Sequence, residues 1–281
     1  MNLSNPTTIK HLLARHGFHL SKGLGQNFLI NPEICPKMAA LCGADSQTAV
    51  LEIGPGLGVL TRELAAVAGK VVAVELDRRL LPVLKETLAD CGNVTVIEGD
   101  VLKLDLAALM AEHFSGMNIV VCANLPYYIT TPIITTLLER RLPIASITVM
   151  VQQEVARRLC APLPNREAGA VTACVQFFSR PELLFLVDKD SFLPAPKVDS
   201  AVIKLTVRES PAVNVPDEAL FFRVIKAAFN QRRKTVQNAL CAGLALPKEA
   251  CAAALERAGI PPMARAEQLT LQQFAQLVQN L

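Results

Sequence analysis

Short apolar runs rich in β-branched residues recur from residue 49 onward: "AVLEIG" (49 to 54), "KVVAVEL" (70 to 76), "VTVIEGD" (94 to 100), "NIVVCAN" (118 to 124) and "SITVMVQ" (146 to 152). Between them the apolar positions fall at helical intervals, as in Leu57, Leu60, Leu64 and Val67. Strands alternating with helices predict a doubly wound, mostly parallel α/β sheet. The runs are continuously apolar rather than alternating, so both faces of that sheet should be covered. Further on, "RPELLFLV" and "KVDSAVIKLTV" read as an antiparallel pair flanking the turn "FLPAP" and closing one sheet edge. After "RESPAVNVP" the pattern turns helical, through "DEALFFRVIKAAFNQRRKTVQNAL" (217 to 240) and two or three short helices to Leu281. The expected division is 1–210 for the sheet domain and 211–281 for a smaller helical domain.

Composition adds few constraints. A chain of 281 residues, 51% apolar and 19% charged, can bury one large core and a smaller one. Eight scattered cysteines without a C-x-x-C pair predict buried reduced thiols, with no metal and no disulfides. The N-terminal stretch lacks the charged-then-apolar pattern of a secretory signal, so a cytoplasmic protein is expected. From Phe114 to Leu138 no residue is charged, yet Asn124, Pro126, Pro132 and the threonines there read as strand, loop and helix start. No membrane span is predicted. Net charge is +3, with residues 1–48 carrying four basic and two acidic side chains and residues 217–281 eight and five. Basic ends would suit a polyanion, although an imbalance this small also fits ordinary solvated lysines and arginines.

The candidate chemistry lies at the carboxyl ends of the predicted strands. "EIGPGLGVLT" (52 to 61) puts Gly54, Gly56 and Gly58 directly after a strand and before a helix, where a backbone without Cβ atoms can turn sharply against a ligand. Val59 stands where a dinucleotide fingerprint needs its third glycine, which counts against NAD. Glu75, 21 residues past Gly54, is spaced to accept hydrogen bonds from ribose hydroxyls, and Asp100 would meet an adenine amino group. Taken singly, each acid fits a solvated strand end better than a ligand contact. In register at successive strands, the three features point to an adenosyl cofactor with no pyrophosphate, namely S-adenosylmethionine.

"NLPYY" (124 to 128) ends the fourth strand on the same edge and contains the only two tyrosines of the chain. An exocyclic aromatic amine is a poor nucleophile because its lone pair is delocalised into the ring. The Asn124 side-chain oxygen and the Pro126 carbonyl are candidate acceptors that would draw the nitrogen toward a tetrahedral geometry. Tyr127 would stack on an extruded base.

These motifs resemble those of the small-subunit (16S) ribosomal RNA adenine N6,N6-dimethyltransferases, over essentially the whole chain. "KGLGQNFLIN" (22 to 31), "EIGPGLGVLT", "NLPYY", "FLPAPKVDSAV" (192 to 202), "NQRRKTVQNAL" and "RAEQL" carry the resemblance. It implies a Rossmann-like class I S-adenosylmethionine-dependent methyltransferase sheet with a C-terminal helical RNA-binding domain. It further implies that Gln26, Asn27 and Leu29 close over the methionine end of the cofactor, and that Gly54, Gly56, Glu75, Asp100, Val101 and Asn124 complete the pocket. Phe192 is the implied second stacking ring, opposite Tyr127. The implied reaction dimethylates two neighbouring adenines near the 3′ end of the small-subunit RNA, during biogenesis of that subunit; a monomer is the default expectation, which the resemblance does not decide. Arg232, Arg233 and Lys234, on the C-terminal helix, are plausible phosphate contacts, and Arg140, Arg141, Arg157 and Arg158 could extend the footprint. Small departures, Val236 and Gln268, touch none of this chemistry. Competing readings are a large-subunit adenine dimethyltransferase of the macrolide-resistance type, a non-catalytic assembly factor on the same fold, and, third, an NAD-dependent oxidoreductase.

Overall fold

The structure, a computed structural model, describes residues 1–19 and 26–281. Helix α1 (Pro6–Arg15) begins at Asn5, whose side chain accepts from the Thr7 and Thr8 amides. Two residues, Phe28–Leu29, form β1, and α2 (Ile34–Leu41) follows. The chain then alternates β2 (Thr48–Ile53), α3 (Val59–Val67), β3 (Lys70–Glu75), α4 (Leu81–Thr87), β4 (Val94–Glu98), α5 (Leu106–His113), β5 (Asn118–Asn124), α6 (Thr130–Glu139) and β6 (Ile144–Gln152). After α7 (Gln153–Cys160) and α8 (Ala170–Phe178) come β7 (Ser179–Val187), the short β8 (Phe192–Leu193) and β9 (Ser200–Val207). The remainder is helical: α9 (Glu218–Asn230), α10 (Val236–Leu244), α11 (Lys248–Arg257) and α12 (Leu271–Gln279).

Seven strands make one sheet in the order β4-β3-β2-β5-β6-β9-β7. The β2 to β6 pairings are parallel, and β9 runs antiparallel to β6 with Ser146 opposite Thr206 and Gln152 opposite Ser200. From β2 the chain winds outward through β3 and β4, then returns to the other side of β2 for β5 and β6. The crevice at that reversal, beyond the carboxyl ends of β2 and β5, is where open α/β sheets bind ligands. Central strands are buried on both faces, all six residues of β2 included, which is why their sequences are largely apolar, with Thr48 and Glu52 the polar exceptions in β2. On one face Ile34, Cys35, Met38 and Cys42 of α2 and its C-terminus pack with Leu60 and Leu64 of α3 over Val50, Val71, Val120 and Cys122. Elsewhere α1 lays Ile9 and Leu12 against Leu80, Val83 and Leu84 at the start of α4.

Two compact units result, one formed by 1–156 and 182–207 and the other by 157–181 and 208–281. The expected single break near residue 210 therefore misses that 157–181 packs with the C-terminal helices. The reason is aromatic: Phe177 and Phe178 of α8 meet Phe221 and Phe222 of α9 at centroid separations of 5.0 to 5.5 Å. Three smaller expectations also change. Residues 217–240 form two helices rather than one, because Gln231 leaves helical geometry and the Thr235 hydroxyl caps a new helix at the Asn238 amide. Val67, expected on the buried stripe of α3, is 37% exposed. Strand β4 ends at Glu98, two residues short of Asp100.

Among the described residues no helix is long and apolar enough to cross a membrane. Nor does any group of three or more His, Cys, Asp or Glu side chains there converge as a metal site. The eight cysteines are all free thiols, five of them buried.

Candidate functional site

The strand register builds the site. Ile53 of β2 lies opposite Val74 of β3, and Leu51 opposite Val121 of β5. Continued by one and three residues, that register sets Glu75, Gly54 and Asn124 side by side across the carboxyl edge. The Gly54 amide donates to Val74 O at 2.9 Å and so still belongs to the sheet. Beyond it Gly54, Gly56 and Gly58 all have positive φ, of 70°, 59° and 84°. A Cβ at Gly54 would meet no atom within 4 Å, so this loop opens onto free space, whereas one at Gly58 would fall 3.0 Å from Leu88 Cδ2. The Phe28 ring covers Gly56, 3.6 Å from where its Cβ would be.

A cleft at this edge is lined by Gln26, Asn27, Leu29, Gly54, Gly56, Glu75, Asp100, Val101, Asn124, Pro126, Tyr127 and Phe192, so every described residue expected to touch cofactor or base is brought together. Residues 22–25 of the "KGLGQNFLIN" signature lie outside the described residues. Glu75 is 6% exposed, accepting the Asp77 amide at 2.8 Å on Oε1 and the Gly56 amide at 3.3 Å on Oε2. Burial raises its carboxyl above the ordinary value, against the pull of those two amides. Asp100 takes the Leu102 amide on Oδ1 at 3.1 Å, in a turn just beyond β4, and its Oδ2 faces Lys103 at 3.6 Å.

Two acids in this region carry no role in the sequence reading. Glu52, the last but one residue of β2, is 1% exposed and also lines the cleft. Its Oε2 is bonded to no described residue. Burial pushes its carboxyl up to about 8, with the Thr61 hydroxyl nearby opposing and Glu75 adding to the push. Its signal was available in the sequence, as a carboxylate inside an otherwise apolar strand. Asp77 joins the walls of the site: it accepts from Gln26 Nε2 at 2.9 Å and from Arg79 at 2.6 and 2.8 Å. The Arg79 guanidinium, then Gln26, hold the Asp77 carboxyl below its ordinary range. Among its described residues the cleft lining includes Glu52, Glu75 and Asp100 but no Lys, Arg or His.

On the other side of Gly54 the chain leaves β5 through Asn124, whose side-chain amide engages no described residue. The Pro126 carbonyl, expected to accept a substrate N–H, is already engaged. It takes the Ile129 amide at 3.1 Å and the Thr130 hydroxyl at 3.1 Å, in the turn that starts α6. The Tyr127 hydroxyl lies 2.7 Å from Ser200 Oγ, and burial raises its phenol while that hydrogen bond opposes the rise. Tyr128 is 55% exposed at the rim. Phe192, 3% exposed, reaches the cleft through an antiparallel ribbon in which Leu29 faces Phe192 and Phe28 faces Leu193. This ribbon draws the N-terminal motif and the "FLPAP" motif to one wall. No local pattern foretold the pairing of two-residue strands so far apart.

The basic residues divide. Arg232, Arg233 and Lys234 sit in the turn between α9 and α10, not on a helix. The Arg232 guanidinium donates to Arg166 O at 2.6 Å and Ala168 O at 3.4 Å, so it ties the second unit together, while Arg233 and Lys234 are exposed. Arg140 is likewise engaged, donating to Leu102 O and Leu104 O at 3.0 and 2.9 Å in the loop after Asp100.

Comparison with known proteins accords with this geometry. The family model described as "Ribosomal RNA adenine dimethylase" matches residues 17–281. The protein named Ribosomal RNA small subunit methyltransferase A from Shouchella clausii is 49% identical over 98% of this chain and 94% of its own, and the one from Anoxybacillus flavithermus 46% identical over 100% and 96%. Among solved structures, a dimethyladenosine transferase from Plasmodium falciparum aligns over 89% of this chain and 95% of its own, at 27% identity and a TM-score of 0.74. The 23S rRNA methyltransferase ErmE aligns over 91% and 99%, at 28% identity and a TM-score of 0.70. With a glycine-lined crevice, an acid at each neighbouring strand end and an asparagine-led aromatic loop in one cleft, the chain belongs to the ribosomal RNA adenine dimethylase family.

Proposed function

We propose that the chain uses S-adenosylmethionine to dimethylate N6 of two adjacent adenines near the 3′ end of 16S ribosomal RNA, acting in the cytoplasm as a monomer during small-subunit biogenesis. The observation that carries this is the single cleft in which Gly54, Glu75, Asp100, Asn124, Tyr127 and Phe192 meet. Its chain-wide relatives at 46 to 49% identity bear small-subunit methyltransferase names, which supports that subunit over the large one.

The residues present fit such a cofactor. Among the described residues the lining is acidic and includes no Lys, Arg or His, which suits a ligand bearing a sulfonium and an ammonium. Glu75 keeps unused lone pairs on both oxygens for a ribose, Asp100 keeps Oδ2 for an amino group, and Gln26, Asn27, Leu29, Gly56 and Val101 wall the remainder. When bound, S-adenosylmethionine supplies an electrophilic methyl group.

The chain then has to make an aromatic amine nucleophilic. Asn124 Oδ1 accepts an N6–H and localises the nitrogen lone pair, and Tyr127 with Phe192 holds the base plane. Pro126 contributes by shaping the turn, since its carbonyl is spent on Ile129 and Thr130. Ile53, Leu57 and Leu125 give the cleft a buried apolar wall. The thioether that such a cofactor leaves behind would keep the C–S electron pair and the surplus N6 proton would pass to solvent, so none of these residues is assigned as a base. The unit formed by 157–181 and 208–281 supplies RNA contacts through Arg233 and Lys234.

Labelled S-adenosylmethionine offered to small and large subunits that lack both modifications tests this. Label confined to the small subunit, recovered as N6,N6-dimethyladenosine, is expected. Label in the large subunit would transfer the assignment to the resistance-type enzymes, and binding without transfer to an assembly factor.

A further inference from the structure

Two buried hydroxyls hold the loop 124–128 from beneath, and neither has a part in the reaction just described. Ser200, fully buried at the first position of β9, meets the Tyr127 hydroxyl at 2.7 Å across 73 residues of sequence. Thr130, 2% exposed in the first turn of α6, donates to the Pro126 carbonyl at 3.1 Å. Neither position is explained by packing alone. A strand residue facing the core is ordinarily apolar, as Ala201, Val202 and Ile203 beside it are. A buried hydroxyl is kept where it has a partner, and the partner here is the phenol of a ring that lines the cleft.

The fixing is directional. The Tyr127 ring is attached to a surface loop but tethered at its far end to β9, which pairs with β6 through Gln152 opposite Ser200. That leaves the ring two anchors, its own Cα and the Ser200 hydroxyl, which fix where its long axis lies in the cleft wall. Thr130 holds the carbonyl one residue earlier, setting the turn from which Asn124 and Tyr127 project. We propose that Ser200 is a positioning residue for base recognition, its hydroxyl holding the long axis of the Tyr127 ring where the ring can receive the target adenine, with Thr130 fixing the turn beneath it. The inference rests on the functional reading above, because only a stacking role gives the ring's placement a consequence for turnover.

The chain has two tyrosines and no tryptophan, so the ring can be watched directly. With Cζ-labelled tyrosine and Tyr128→Phe as background, Tyr127 gives one carbon resonance whose position and pH titration report its hydroxyl. Ser200→Ala is expected to shift that resonance and raise the pH at which it titrates, because the hydrogen bond that now opposes burial is gone. In methyl transfer to small subunits, Ser200→Ala and Tyr127→Phe should each lower kcat about fivefold to tenfold, and the double variant no further. The dissociation constant for S-adenosylmethionine should stay within about twofold. Tyr127→Phe removes the same bond without touching the buried strand, which guards against a folding defect in Ser200→Ala.

An unshifted resonance, or single losses that multiply to about 25-fold or more in the double variant, overturns the role of Ser200 while leaving the enzyme assignment standing. A wild-type chain that binds small subunits and transfers nothing overturns both, even with the resonance shifted as expected.

Discussion

Asn124 and Glu75 stand on either side of Gly54 at the sheet edge and should fail differently when removed. Asn124 offers an acceptor that counts only once the amine turns nucleophilic, so Asn124→Ala should cut kcat by about 100-fold or more and leave cofactor affinity nearly unchanged. Glu75 is a buried charged acceptor, and Glu75→Ala should raise the cofactor dissociation constant by one or two orders of magnitude. Calorimetry beside single-turnover rates separates the two, and a swapped pattern would show the cleft misread. Glu52 adds a pH signature. Its folded value of about 8 lies above the ordinary 4.5, so the folded state holds that proton more tightly. The resulting stability is complete below about pH 4.5 and is lost as pH climbs through about 8, at up to about 1.4 kcal/mol per unit. Without ligand, wild-type Tm should fall between pH 6 and 9 more steeply than that of Glu52→Gln; parallel curves would remove Glu52 as the source.

At the level of elements, the glycine loop shows how one sequence feature serves two ends. Gly58 caps α3 in left-handed geometry with Leu88 and Thr87 close behind it, whereas Gly54, equally left-handed, faces open space. Gly58→Ala should cost about 1–3 kcal/mol through strain and crowding, read as a drop in Tm. Gly54→Ala carries the strain without the crowding, and its larger effect should be on cofactor binding. The alternation of strand and helix was legible from residue 49 onward because local burial writes itself into apolar spacing. The break at 231–235 was harder to read: "NQRRKT" contains no proline or glycine, and only Thr235, a capping residue inside a helical run, marks it.

Taken whole, the molecule places its basic side chains less freely than the sequence implies. Arg232 and Arg140 both donate to backbone carbonyls, so Arg232→Ala should lower Tm. Arg233→Ala and Lys234→Ala should leave Tm alone and flatten the salt dependence of small-subunit binding. For every phosphate no longer neutralised, the slope of log K against log salt should become shallower by about 0.7–0.9. An unchanged slope would move the RNA surface elsewhere. The same interleaving put residues 157–181 with the C-terminal helices, a pairing driven by phenylalanines some 40 residues apart that no composition change announces.

What the sequence determined alone was whatever depends on neighbours along the chain: strand identity, glycines where φ must be positive, and acids and an asparagine at strand ends. Those follow from dihedral preference and burial, which each residue carries with it. Only the tertiary structure decided which atoms are left over for a ligand. Pro126 gives its carbonyl to Ile129 and Thr130, Tyr127 gives its hydroxyl to Ser200, and Phe192 reaches the cleft because two short strands pair. The partners of Tyr127 and Phe192 come from distant parts of the chain, and even the local ones at Pro126 depend on how the turn closes: a hydrogen bond is made by proximity in space, which spacing in sequence does not encode.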